Sequence, residues 1–262
     1  MLTRYSAWIN GQGLQDIDDS IYILDIVEKD PDAEIVRAER SMSGGTRYIR
    51  TNRHSLSVVI RFAVRERDPA RRADVVSRVR AWAREGWLTT SDMTGKRLYV
   101  VCEYLPMIDS AARWAETLEM TLTAYDVPWW EDEQPDTVNG VSAYAGERGE
   151  RCVLSICNRG TTDAPVSVQL TAQGNIDRLL VYMADNNSFA FESLGMTAGD
   201  VLSISYDKRG IVSLKVGDLS VMDKRRGVSS DNVMCPPGRH DMVVQWCESP
   251  FTVRASVRGR WL

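Results

Sequence analysis

Apolar and polar residues alternate with a period of two through most of this chain, and that pattern commits a chain to half-buried β-strands. Leu56, Val58, Ile60, Phe62 and Val64 make one face of a strand whose other face carries Ser55, Ser57, Arg61 and Arg65. Leu98, Val100 and Cys102 alternate with Tyr99 and Val101 in a second, more fully buried strand. In a third, Trp114, Leu118, Met120, Leu122 and Ala124 oppose Thr117, Glu119, Thr121, Thr123 and Tyr125. One segment in this half breaks the rhythm and reads as helix. Asp68 is placed to cap the free amides, Pro69 suits the first helical position and Gly86 suits a left-handed stop. Between them Val75, Val76, Val79, Trp82 and Ala83 recur at helical spacing, with Arg71, Arg78 and Arg84 largely outside. The helix is expected to pack on a sheet with Trp82 in the core.

The rhythm stops at Pro128–Thr137, where Pro-Trp-Trp precedes Glu131, Asp132, Glu133, Pro135 and Asp136, and it resumes near Arg151. Beyond that point short strands are expected at 152–157, 166–170, 179–183, 189–192, 201–206, 211–216, 242–246 and 251–257. Turn residues separate them at 158–160, 185–187, 198–200, 208–210 and 236–238. Short strands so spaced predict an antiparallel β-sandwich. The fold class is therefore mainly β: an N-terminal β-rich domain with one packed α-helix over 1–133, then a C-terminal sandwich over 134–262.

A chain of 262 residues buries about three-quarters of its unfolded surface and does not depend on disulfides or metal. Its 5 cysteines include no C-x-x-C pair, and Cys152 and Cys157 fall on opposite faces of one strand, so free thiols in a reducing compartment are expected. No apolar run reaches the roughly 18 residues of a membrane helix, and the start Met-Leu-Thr-Arg-Tyr lacks the order of a signal peptide. Synthesis in the cytosol and no membrane partner follow as expectations.

The net charge of -4 argues against an obligate nucleic-acid binder but conceals a segregation. Between Asp16 and Glu34 stand eight acids against Lys29 alone, whereas Arg37 to Arg84 holds thirteen arginines, no lysine and only four acids. A salt-laced exterior accounts for this. So does a complementary pair of patches, for which arginine is suited by its planar, bidentate pairing.

Chemistry is thinly represented. The 2 histidines, His54 and His240, exclude a many-imidazole metal site within one chain, and no nucleophile elbow, phosphate loop or dinucleotide loop is found. No catalytic, cofactor or metal residue is assigned. Ser43-Gly44-Gly45-Thr46 has the backbone amides of an anion nest, but a plain loop before a strand is the favoured reading of its glycines. Trp129, Trp130 and Tyr144, if exposed, suit stacking on sugar rings; they suit closing a domain junction as well.

The first half resembles the distal tail proteins of long-tailed phages with non-contractile tails. The resemblance rests on Trp8-Ile9-Asn10-Gly11 with Leu14 to Ile17, on Arg47 to Val64, on Arg80-Ala81-Trp82-Ala83-Arg84-Glu85-Gly86-Trp87-Leu88-Thr89, on Asp92 to Tyr99, and on Leu118 to Trp130 ending Tyr-Asp-Val-Pro-Trp-Trp. The second half is similar more loosely, through Thr197 to Ile204 and Cys235-Pro236-Pro237-Gly238, where Cys235, Arg239 and His240 depart from the family pattern.

The resemblance implies a homohexameric ring of N-terminal domains that continues the tail tube, with a galectin-like or carbohydrate-module-like sandwich projecting from it. The implied partners are further copies of the chain, the tail tube protein, a tail-tip or baseplate hub protein and, through these, a receptor-binding protein. No cofactor, no enzyme activity and no specific nucleic acid are implied, although DNA would pass through the ring and is a second candidate partner for the arginines. A head-to-tail ring needs unlike, matching surfaces. Asp16, Asp18, Asp19 and Asp25 are the candidate contacts on one side, and Arg47, Arg50, Arg53 and Arg61 on the other. The alternative function is a glycan-binding module for adhesion to the host cell wall, through Trp129, Trp130 and Tyr144.

Overall fold

The computed structural model describes residues 5–39, 46–106, 117–183, 188–226 and 232–261. The chain divides into two compact units, Met1–Trp130 and Glu131–Leu262.

Unit 1 contains β1 (Ala7–Ile9), β2 (Gln12–Gly13), β3 (Ile21–Glu39), β4 (Thr46–Val64), the helix α1 (Pro69–Trp82), β5 (Gly86–Thr90), β6 (Lys96–Tyr104) and β7 (Thr117–Ala124). Its strands lie side by side in the order β2-β1-β5-β6-β7-β4-β3, and their pairings are antiparallel. β4 is flanked by β3 and β7, so Val59 and Ala63 are buried along with Leu56, Val58, Ile60, Phe62 and Val64. Trp114 lies outside the described residues.

Two sequence features explain local geometry here. Asn10 (φ 52°) and Gly11 (φ 81°) both take positive φ in the two-residue turn joining β1 to β2, a turn that twists with its strands and selects Asn-Gly. Asp68 caps α1 by accepting from the Ala70 amide at 3.0 Å, with Pro69 in the first turn. The helix turns Val75, Val76, Val79 and Trp82 inward, contacts β4, and the Trp82 indole donates to the Gln12 carbonyl at 2.7 Å.

The expected helix stop is corrected. The helix ends at Trp82 with Ala83 as its cap, and Gly86 opens β5. Glycine is needed there because a Cβ would stand 2.5 Å from the Asn10 side chain, which accepts from the Trp87 amide at 2.9 Å.

A short strand, β8 (Trp130–Asp132), spans the point where the units join in sequence. Unit 2 continues with β9 (Asp136–Val141), β10 (Ala143–Tyr144), β11 (Glu150–Asn158), β12 (Ala164–Ala172), β13 (Leu179–Tyr182), β14 (Ser188–Phe191), β15 (Val201–Tyr206) and β16 (Val212–Val216). It ends with β17 (Leu219–Ser220), β18 (Met234–Cys235), β19 (Gly238–Cys247), β20 (Phe251–Val257) and β21 (Arg260–Trp261). One antiparallel sheet runs β10-β11-β19-β13-β14 and a second runs β17-β16-β15-β12-β20-β9, with β18 beside β12. Leu154, Ile156, Val181, Met242 and Val244 of the first share one core with Val166, Val168, Leu202, Ile204 and Val253 of the second. All five cysteines are free thiols, three of them buried.

Candidate functional site

Five of the eight acids lie on β3, and Arg47, Arg50, Arg53 and Arg61 lie on β4, its partner in one hairpin; most of the other arginines follow in α1 and the segments around it. β3 and β4 run antiparallel from the pair Ile21 and Val64 to the pair Glu39 and Thr46. In that register Asp25 and Arg61 are, among the described residues, the one pair of opposite charges set side by side, and further polar pairs close around the hairpin. Arg61 reaches Asp25 at 3.8 Å on one side and Glu119 of β7 at 3.1 Å on the other. Glu34 lies 3.7 Å from His54. Arg78 of α1 donates to Asp18 at 2.7 Å and to the Ile17 carbonyl at 2.9 Å, and its Nε stands 3.3 Å from Asp74. Half-exposed pairs of this kind contribute on the order of 0–1 kcal/mol each. Their geometric effect is larger: the Arg78 fork ties the helix to the segment that leads into β3.

Asp18 is the most perturbed of these acids. The Ser20 hydroxyl at 2.7 Å and the Ser20 amide at 3.0 Å donate to it, and with the Arg78 guanidinium they hold its carboxyl down at about 2. An unfolded Asp titrates near roughly 4, so the stability contributed by Asp18 is complete above that pH and is lost as pH falls from about 4 toward 2. An Asp18→Asn variant is therefore expected to show a shallower fall in melting temperature than the parent across that window. Parallel curves would refute the assignment.

The remaining candidates fall differently. Asp16 and Asp19 are exposed and make no ion pair among the described residues. Arg47, Arg50 and Arg53 stand in register opposite Ala38, Val36 and Ala33 of β3; their side chains lie outside the described part of the structure, as do Ser43, Gly44 and Gly45. β7 pairs with β4 only from Leu56 to Ala63, so among the described residues Thr46 to Ser55 pair with β3 alone. The three arginines thus sit on a two-stranded ribbon, an arrangement that is marginal in water without something packed against it.

The aromatic candidates separate too. Trp130 is corrected to a core residue, because it is 1% exposed and its indole donates to Glu28 at 2.8 Å, leaving no face for a sugar. Trp129 is half-buried. Tyr144 is 77% exposed and lines a cleft in unit 2 whose wall also holds Trp246. Trp246 closes the strand expected over 242–246, and nothing in its sequence position marks it as a site residue.

No protein-family model matches the chain, and no curated protein matches it. Among solved structures it is similar to the Dit protein of phage SPP1, described as a paradigm of the hub adsorption apparatus in phages infecting Gram-positive bacteria. Identity is 10%, with 97% of this chain and 98% of that one covered at a TM-score of 0.69. The chain has the Dit fold. A second match, to the phage P2 baseplate in its activated conformation with Ca, has 8% identity, 99% and 98% coverage and a TM-score of 0.47. The mainly β architecture and the distal tail resemblance read from the sequence agree with a Dit fold that runs through both units.

Proposed function

We propose that the chain is a phage or prophage virion structural protein, a distal tail hub whose N-terminal unit closes into a homohexameric ring between the tail tube and the baseplate or tail tip. The observation that carries this reading is the Dit fold's extension over 97% of the chain, both units in one order. The ribbon supports it, since two strands lacking a third find one, or a packed surface, on a neighbouring subunit. The chain works by assembly and not by catalysis, in the virion tail, after assembly in the cytoplasm of the host bacterium.

The ion pairs within the chain narrow the contacts we assign to the ring. Asp18, Asp25 and Arg61 are engaged within their own chain, which leaves Asp16 and Asp19 of one subunit to face Arg47, Arg50 and Arg53 of the next. Such pairs set register and discourage wrong contacts more than they add affinity. Light scattering on the full chain is expected to give a mass near six copies, alone or with the tail tube protein, with a hollow ring by electron microscopy. Joint reversal of Arg47, Arg50 and Arg53 to Glu should lower that mass. Arg61→Glu should instead lower the melting temperature, because it sets a third acid between Asp25 and Glu119. A chain that stays monomeric at high concentration and does not bind the tail tube would defeat the reading.

A further inference from the structure

A bulge in β19 and the turn packed on it leave unit 2 with two bare aromatic faces beside an unpaired carboxylate. Along β11 and β19 the register steps from Glu150 opposite Cys247 to Cys152 opposite Val244, so β19 carries one residue more than its partner. The surplus falls at Gln245 and Trp246, and Trp246 takes φ 69°. A bulky side chain at positive φ is a backbone outlier, of a kind that gathers at ligand clamps. The indole stays 42% exposed on the wall of a cleft of about 550 Å³. Tyr144, 77% exposed on β10, lines the same cleft, as does Glu147 from the turn between β10 and β11. That turn sits directly on the bulge: Gly149, at φ 67°, approaches the Cys247 carbonyl so closely that a Cβ would overlap it.

Elsewhere the chain covers ring faces with its own arginines. Arg65 lies over Tyr22 at 4.3 Å, and Arg97 lies over Trp87 at 3.8 Å. A guanidinium is drawn to the negative face of a ring and stacks flat against it. The cleft holds two arginines, yet both are turned to acids instead: Arg178 donates to Glu248 at 2.8 Å, and Arg226 stands 3.2 Å from Glu192. Glu248 is fixed in that role by the amides of Asp177 and Arg178, at 3.1 and 3.2 Å. Among the described residues, Tyr144 and Trp246 have no ring or cation against them, and the exposed Glu147 carboxylate has no ion-pair partner.

We infer that this cleft receives an arginine side chain of a protein partner. A guanidinium stacked on the Trp246 or Tyr144 face does between chains what Arg97 does within this one, and Glu147 accepts from its N–H groups. Charge selects the cation: Glu147, Glu192 and Glu248 line the cleft against two guanidinium groups that are already engaged. The same two pairs reject an anion, because each arginine there is neutralised by its own acid. Arginine also suits the fixed geometry better than lysine, since its planar fork meets a ring face and a carboxylate at once. Arginine anchors of this kind, set against Tyr and Trp, are where binding energy concentrates in protein interfaces. The inference stands on unit 2 alone and holds whether or not the N-terminal unit closes a ring.

The test is calorimetric titration of the full chain with an end-blocked Gly-Arg-Gly peptide. The comparisons are the same peptide with citrulline as the neutral isostere, the same peptide with lysine, and methyl glucoside as an uncharged ring ligand. Saturable, millimolar binding of the arginine peptide is expected, roughly tenfold tighter than the citrulline peptide and weaker at high salt. Removing the ring that carries the guanidinium, by Tyr144→Ala or by Trp246→Asn, should weaken it roughly threefold or more, and so should Glu147→Gln. Asparagine tolerates positive φ and keeps the bulge, while Tyr144 and Glu147 are exposed, so all three variants retain the fold. The inference is overturned if the arginine peptide does not saturate, or if citrulline, lysine or the glucoside binds as tightly. It is equally overturned if both ring variants bind like the parent, or if Glu147→Gln does.

Discussion

Replacing Asn158 with Asp is expected to remove roughly 3–5 kcal/mol of stability near neutral pH, the sum of stranded partners and a buried charge. Asn158 is 1% exposed and its amide is used in full: the NH₂ donates to the carbonyls of Thr162 at 2.9 Å and Cys235 at 2.8 Å, while Oδ1 accepts from the Gly160 amide at 2.9 Å. A carboxylate of the same shape still accepts from Gly160 but turns an oxygen toward two carbonyls. It can be neutralised only by taking up a proton, so its folded pKa would rise above the unfolded value of about 3.9. The deficit is therefore smallest in acid and grows as pH rises past that value. Urea unfolding of Asn158→Asp and the parent at acid and neutral pH checks this, and an equal deficit at both would show that the carboxylate finds a donor.

Phe251→Ala is expected to cost a further class of energy, about 3–5 kcal/mol of lost burial and cavity. Phe251 is fully buried in the core shared by the two sheets of unit 2. Its backbone remains tied to Ser142, whose Oγ accepts from its amide at 2.9 Å and whose own amide donates to its carbonyl at 3.0 Å. The strand end is thus held in place and the cavity cannot easily collapse. Phe251→Leu should cost less than about 1.5 kcal/mol if the neighbours repack. Against a typical total of 5–15 kcal/mol, the Ala variant should lower the melting temperature by roughly 10 °C or more. A small loss in both variants would mean that the core around Phe251 relaxes.

Much of this architecture is legible in the residues because local chemistry decided it. The Asp68-Pro69 start, the alternation in β4 and β7, and the turn after Asn158 all depend on neighbours a few positions away. β3 was harder to read, since a strand at the edge of its sheet tolerates exposed Tyr22 and Leu24 and a run of acids, which blur its period. Gly86 resembled a helix stop because its true reason, the Asn10 side chain, lies 76 positions earlier. The charge segregation was visible, but its closure was not: Arg78 meets Asp18 across 60 positions, and Trp130 finds Glu28 across 102. The cleft was invisible for another reason. Which way Trp246 faces depends on a single extra residue in β19, and register is a property of two strands together.

The placement of β9 bears on how unit 2 comes into being. β9 pairs with β20, from Asp136 opposite Val257 to Val141 opposite Thr252, and β20 itself lies between β9 and β12. On the ribosome, the first strand of that sheet must therefore wait for more than a hundred residues before its neighbour is synthesised. Long-range pairing of this sort is slow to nucleate. The sequence of β9, Asp-Thr-Val-Asn-Gly-Val, suits the delay: polar, broken by glycine and poor in bulky apolar groups, it gives other nascent chains little to stick to.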